Sequence, residues 1–204
     1  MISRAAIKEN AKAQLGGKLF GNIWLMAAVA CLLVSAIQGL LGVIPTVGSI
    51  AVVLLSGALG VGLASVFLGL ANGAAEVSIE KLFQVGFGNF SRNLLLGLMR
   101  SIFVALWSLL FVIPGIVKNY AYSMSYYIAN DHADWTWKQC IDESKRLTAG
   151  HKWELFVLDL SFIGWYFVGG LCFGIGTLLV MPYHQTAVAN YYEALKQLDS
   201  GAVA

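Results

Sequence analysis

The chain has 204 residues, 58% hydrophobic and 12% charged, with a formal net charge of +2. A soluble domain carries roughly 25% charged residues, so this chain lacks the charge to cover a soluble fold, and its small net charge gives no footing for nucleic acid. No charged residue falls between Lys18 and Glu76, a gap of 57 positions, and because a bilayer-spanning helix needs about 20 predominantly apolar residues, that gap holds two spans and a turn.

The N-terminal stretch MISRAAIKENAKAQLGGK carries Arg4, Lys8, Lys12 and Lys18. The apolar run behind it far exceeds the roughly 7–15 residues of a signal h-region, so no cleavage is expected. Residues 1–18 read as a basic cytoplasmic surface helix ending at Gly16-Gly17, held at the lipid headgroups.

The only three prolines punctuate a repeat. Leu40-Leu41-Gly42-Val43-Ile44-Pro45 and Leu109-Leu110-Phe111-Val112-Ile113-Pro114 match at five of six positions, 69 residues apart. A copy one residue shorter, Leu178-Leu179-Val180-Met181-Pro182, begins another 69 residues on. Phe20-Gly21-Asn22 and Phe87-Gly88-Asn89 precede the first two copies. Internal repeats are common in membrane folds, and each unit reads as a helical hairpin.

The first hairpin covers 19–71, with helices over about 20–41 and 48–71 turning through GVIPTVG, since proline cannot continue a helix and glycine tolerates a turn. Within it, the run from Gly57 to Ala64 sets small residues at helical spacing and predicts close helix packing. The second covers 93–130, with helices over about 93–112 and 116–130 and a tight turn at Pro114-Gly115. The third covers 153–195, with helices over about 153–170 and 175–195. It turns at Gly169-Gly170 and Gly174/Gly176, so Pro182 falls inside its second helix. The fold class is therefore an all-α polytopic membrane bundle: six spans as three hairpins in a single domain over 1–204.

Two segments need separate treatment. IVKNYAYSMSYYIAN, 116–130, is too polar to face lipid. It suits a spanning helix buried among the other five, its hydroxyls bonded to neighbours; the alternative is a tyrosine-rich helix at the interface. Residues 131–152 read as a cytoplasmic amphipathic helix that sets the angle between hairpins. Asp134 is its expected N-cap, Trp137, Cys140, Ile141, Ser144 and Leu147 share its apolar face, and Gly150 stops it.

Orientation follows lysine and arginine. With six spans, one side receives 11 of the 13 basic residues, and the other has only Lys118. A five-span arrangement would leave 117–152 outside with five basic residues. Both termini and 131–152 are therefore expected to be cytoplasmic.

The second half carries a resemblance. Ile113-Pro114-Gly115 and the tyrosines after it, Asp131, Ser144-Lys145-Arg146-Leu147, Gly150-His151-Lys152-Trp153, FVLDLSFIGW at 156–165, Pro182-Tyr183 and Tyr191-Tyr192 together resemble a bacterial integral-membrane family. That family is known as domain of unknown function 975. The likeness extends over nearly the whole chain and is strongest over 110–193, DLSFIGW being its most specific part. More remotely, the six-span layout is similar to the membrane portion attached to some glycerophosphodiester phosphodiesterases. The resemblance implies a bacterial cell-membrane module without a catalytic domain, and it implies no mechanism.

Enzyme signatures are missing: the sequence has no HExxH, GxSxG, P-loop or strand-preceded GxGxxG. Cys31, Cys140 and Cys172 are odd in number and lack metal-ligand spacing. No cofactor, metal site or catalytic residue is expected, and the chain is read as not an enzyme. The residues that matter are polar groups inside the membrane, where ionisable side chains are functional candidates by default. Arg100 lies eight residues past Arg92, about 12 Å deep, and Asp159 seven past Lys152, about 10 Å deep, at 1.5 Å per residue. His184 lies near mid-span beside Pro182. Asn119, Tyr122 and Tyr126 sit in the polar fourth span. Asp159 is expected to pair with Arg100, with Glu154 as the rival partner nearer the headgroups. Pro182 is expected to kink its helix, freeing the Leu178 carbonyl and turning Tyr183 or His184 into the bundle.

The leading functional expectation is a non-enzymatic membrane assembly or accessory module, in contact with lipids or with a second membrane protein. The alternative is a small transporter or lipid flippase. A continuous polar cavity reaching Arg100, His184 and the fourth helix would favour the alternative; a dry bundle would favour the first.

Overall fold

A computed structural model describes residues 3–17, 21–44, 47–171 and 175–201. Pro45, Cys172, Gly174 and the Phe20 of the repeat lie outside the described residues. Among the described residues the chain forms ten helices and no strand.

The basic helix α1 (Arg4–Gln14) starts where the Ser3 hydroxyl accepts from the Ala6 amide, and it ends at Gly16 and Gly17, both at positive φ (87° and 69°). It is more than a headgroup anchor. Ile7, Ala11 and Leu15 are buried. Gln14 and Asn190 exchange amide hydrogen bonds of 3.1 and 2.6 Å, and Gln14 also donates to the Ala71 carbonyl at 2.9 Å. The helix is thus fastened to two long helices.

Those are α3 (Val47–Ala71) and α10 (Ile175–Asp199). The central helix is α3, which packs against α2 (Asn22–Gly42), α4 (Ile79–Gly88), α5 (Phe90–Leu110) and α10. Its small residues permit this. A Cβ on Gly57 would strike the Asn93 carbonyl, one on Gly62 the Leu82 carbonyl, and one on Gly86 would come 2.6 Å from the Ala58 carbonyl. Backbone-to-backbone approach of this kind gives membrane helices close packing without large side chains. The run from Gly57 to Ala64 therefore does what its spacing predicts.

The second hairpin departs from expectation in two places. First, the chain turns at Phe111, whose backbone is extended (φ −158°, ψ 139°), and not at Pro114-Gly115. Pro114 instead occupies the first turn of α6 (Val112–Ala121), where a missing N–H breaks no intrahelical bond. Gly115 is where α6 presses on α5, since its Cβ would collide with Ser108. Second, the single helix expected over 116–130 is broken. α6 stops at Ala121, residues 122–124 form a turn, and α7 (Ser125–Asp131) follows.

Hydroxyl groups satisfy the break. Ser123 and Ser125 donate to the carbonyls of Tyr120 and Tyr122, each at 2.8 Å. The remaining groups are met by α8 (Trp137–Leu147): Ser144 donates to the Ala121 carbonyl at 2.8 Å and accepts from the Met124 amide at 3.2 Å. The buried face of α8, Cys140, Ile141, Ser144 and Leu147, is the one its periodicity predicts. Its cap differs from expectation. Thr136 caps the helix in a reciprocal box with Gln139, two residues beyond Asp134, because only Thr136 has a glutamine three residues on to return the bond. Gly150, at φ 83°, marks the stop before α9 (Lys152–Leu171).

Among the described residues four helices are long and apolar enough to cross a membrane: Asn22–Gly42, Gly48–Ala71, Phe90–Leu110 and Lys152–Leu171. α10 has the length but is interrupted by polar residues such as His184, Gln185 and Asn190, and α6 and α7 are short. Large apolar side chains lie bare on the long helices, including Leu109 at 86% exposure, Leu40 at 74% and Leu171 at 71%. Apolar surface left open on this scale marks contact with another apolar phase, which suggests a membrane location.

Candidate functional site

A polar cavity of about 270 Å³ lies between α3, α5, the α6–α7 break, α9 and α10. Gly60 and Ala64 of α3 form one wall, where Tyr126 crowds the Gly60 backbone so closely that a Cβ would come within 2.6 Å of its ring. Arg100, Asn119, Tyr120, Ser123, Tyr126, Asp159, His184 and Gln185 supply the polar lining. Ser123 reaches it because it sits in the break between two short helices.

Three of these elements converge on Asp159. The Tyr120 hydroxyl donates to Asp159 Oδ2 at 2.8 Å. His184 Nε2 lies 2.8 Å from Asp159 Oδ1, and the Tyr166 hydroxyl lies 3.1 Å from His184 Nδ1. An ionised carboxylate only accepts, so His184 carries its proton on Nε2 when neutral and Nδ1 then accepts from Tyr166. When His184 is doubly protonated, the Tyr166 oxygen accepts instead. Phe162 covers the imidazole, with ring centroids 4.7 Å apart.

The expected Asp159–Arg100 pair does not form. Arg100 Nη2 donates to Asn119 Oδ1 at 3.4 Å, and the guanidinium lies over the Tyr126 ring, 4.7 Å from its centroid. The reason is topological. α6 packs on both α5 and α9, so Arg100 meets Asn119 on one side of α6 while Asp159 meets Tyr120 on another. Glu154 is no partner for Arg100 either, being engaged by the Tyr191 hydroxyl at 2.8 Å and His151 at 3.3 Å.

The remaining candidates fall outside the cavity lining. Pro182 lies inside α10, and its carbonyl accepts from the Thr186 hydroxyl at 2.7 Å. Near it the Trp24 indole donates to the Leu179 carbonyl at 2.9 Å, one residue past the Leu178 carbonyl that faces the proline's missing N–H. Tyr183 turns inward against Phe162 and Trp24, and His184 turns to Asp159. Tyr122 is buried elsewhere, against Phe103 and beneath Lys145. Sequence reasoning missed Tyr120, Ser123, Tyr166 and Gln185. Tyr166 had a usable signal, since it follows Asp159 by seven residues and so shares its helix face.

Among the described residues no His, Cys, Asp and Glu group could hold a metal. Cys140 is buried, which pushes its thiol pKa up and leaves it unreactive.

No curated protein and no solved structure matches the chain. A family model described as a protein of unknown function, DUF975, matches residues 1–118 and 109–199, two stretches that overlap at the Phe111 corner. The matched residues take in the whole cavity lining, and the chain belongs to the DUF975 family.

Proposed function

We propose that the chain is a multi-pass protein of the bacterial cell membrane that binds a polar ligand in the intramembrane cavity and passes it across the bilayer, as a small transporter or flippase. The four long apolar helices span in this reading, α10 is a fifth passage and the broken α6–α7 a sixth. Both termini are cytoplasmic, in keeping with the distribution of lysine and arginine. No catalytic step is assigned.

The observation that carries the proposal is the cavity itself. A dry bundle was the expectation for an accessory module, and here Arg100, Asp159, His184 and the polar fourth segment share one hollow. Non-helical backbone is tolerated at membrane depth only where it is buried in protein or lines a water-filled cavity. Broken helices at the binding site are a recurrent device of transporters, and Ser123 stands at such a break. The Tyr120–Asp159–His184–Tyr166 chain ties α6, α9 and α10 together through linked polar groups at this cavity. The assembly or accessory role, which the remoter likeness to a non-catalytic membrane portion also suits, is the competing reading.

Accessibility separates the two. Ser123→Cys and Gln185→Cys, each in a cysteine-free background, are expected to react with a membrane-impermeant thiol reagent in sealed vesicles of both orientations. Lys138→Cys, exposed on α8, is expected to react only from the cytoplasmic side. Absence of labelling at positions 123 and 185 from both sides would return the accessory role to first place, and reaction at 138 from outside would overturn the topology.

A further inference from the structure

We infer that the ligand of the cavity is an anionic phospholipid, its phosphate received by Arg100 and one acyl chain lying in the apolar groove outside Tyr120. This rests on the cavity-binding reading above and narrows it to one chemical class.

Arg100 is the first part of the case. A guanidinium has five N–H donors in a planar fork, and among the described residues they make one hydrogen bond, the long one to Asn119 at 3.4 Å. No carboxylate among those residues lies within ion-pairing distance of it. Asp159 shares the cavity, but both its oxygens are engaged, by Tyr120 and His184. The Tyr126 ring beneath the guanidinium holds it in place without neutralising it. A cation at membrane depth without a counter-charge is costly. An anion from outside the chain, of a kind that the guanidinium fork binds in bidentate fashion, removes that cost.

The groove is the second part. Ile113, Ile116 and Val117 of α6 face Trp153, Phe156 and the stem of Lys152 of α9 across a hollow of about 400 Å³. Tyr120 lines both this groove and the cavity, so one side chain is the partition between them. Its hydroxyl points to Asp159 on the cavity side, and its ring meets Phe156 edge-on. A free anion would use the cavity alone and an uncharged lipid the groove alone. An amphiphile with an anionic head uses both at once. The cavity, at about 270 Å³, is smaller than the roughly 300–1,000 Å³ of sites that enclose a drug-sized ligand, which suits a headgroup whose tail stays outside.

Native mass spectrometry of the full chain in neutral detergent tests this, with phosphatidylglycerol, phosphatidylcholine of the same acyl chains, and inorganic phosphate as probes. The wild type is expected to bind phosphatidylglycerol at least tenfold more tightly than phosphatidylcholine and to ignore phosphate at matched concentration. Arg100→Gln should abolish the preference, Arg100→Lys should keep part of it, and Ile116→Gln should weaken phosphatidylglycerol binding several-fold. Should Arg100→Gln not fold, the wild-type preference and its reduction in Arg100→Lys decide the matter. Equal binding of the two lipids would overturn the proposal. So would phosphate binding that displaces phosphatidylglycerol and is lost with Arg100, which would mark a free-anion site. A preference unchanged in Arg100→Gln would place the anion elsewhere and overturn it too. Thiol labelling at 123 and 185 without lipid preference would refute the phospholipid and leave the cavity reading standing; loss of both would remove both.

Discussion

The α6–α7 break exists because α8 supplies partners for it, and Ser144→Ala tests that dependence. The Ser144 side chain is fully buried and makes two bonds to the break, donating to the Ala121 carbonyl at 2.8 Å and accepting from the Met124 amide at 3.2 Å. Alanine leaves the Met124 N–H without this partner in the interior, and a buried unsatisfied polar group costs about 1–3 kcal/mol. The Thr148 hydroxyl lies 3.4 Å from the Ala121 carbonyl, but its one hydrogen is given to the Ser144 carbonyl at 2.7 Å, and it serves Ala121 only by leaving that bond. Thr148→Val added to Ser144→Ala removes that fallback, and the two groups then stranded cost about 2–6 kcal/mol together, a large share of the roughly 5–15 kcal/mol typical of a folded protein. Reversible unfolding in mixed micelles reads the loss, and hydrogen exchange at the Met124 amide localises it. Ser144→Ala within about 0.5 kcal/mol of wild type, the range of an inert surface change, together with unchanged protection at Met124 would refute the reasoning.

Three further outcomes are expected. Gly57→Ala should destabilise by about 1–3 kcal/mol as an overpacked contact, because its Cβ would meet the backbone of Asn93 and Gly97, whereas Gly88→Ala meets nothing within 4 Å and serves as the control; equal folded yields of the two would reject the close α3–α5 crossing. A double-mutant cycle of Asp159→Asn with His184→Gln should show a coupling of about 0.5–3 kcal/mol, in keeping with their 2.8 Å contact, while Asp159→Asn with Arg100→Gln should be additive; the reverse pattern would restore the arginine pair. At the exposed end of α10, hydrogen bonds from Arg146 hold the Asp199 carboxyl below its usual value of 3.8. A lowered carboxyl pKa adds stability above the unfolded value, and this is lost as pH falls through the folded one. Asp199→Asn should therefore leave the acid limb of the stability profile shallower below about pH 4; an unchanged limb would show that this tie contributes nothing.

Membrane residence and helical class are legible in the sequence because they are sums over many residues. A charge-free run of 57 positions can be satisfied in few ways, and the apolar periods, the small-residue run from Gly57 to Ala64 and the buried face of α8 are local properties that the chain carries with it. The polar candidates were legible for the same reason: Arg100, Asn119, Tyr126, Asp159 and His184 stand out against an apolar background, and all five line one cavity. Which of them touch could not be read, because contact depends on which helix lies between two others. α6 separates α5 from α9, and so Arg100 faces Asn119 while Asp159 is taken by Tyr120 and His184. The break at 122–124 was hidden for a like reason. Two of its backbone groups are met by the hydroxyl of Ser144, some twenty residues away, and a helix interruption satisfied by a distant partner leaves no mark in the local pattern.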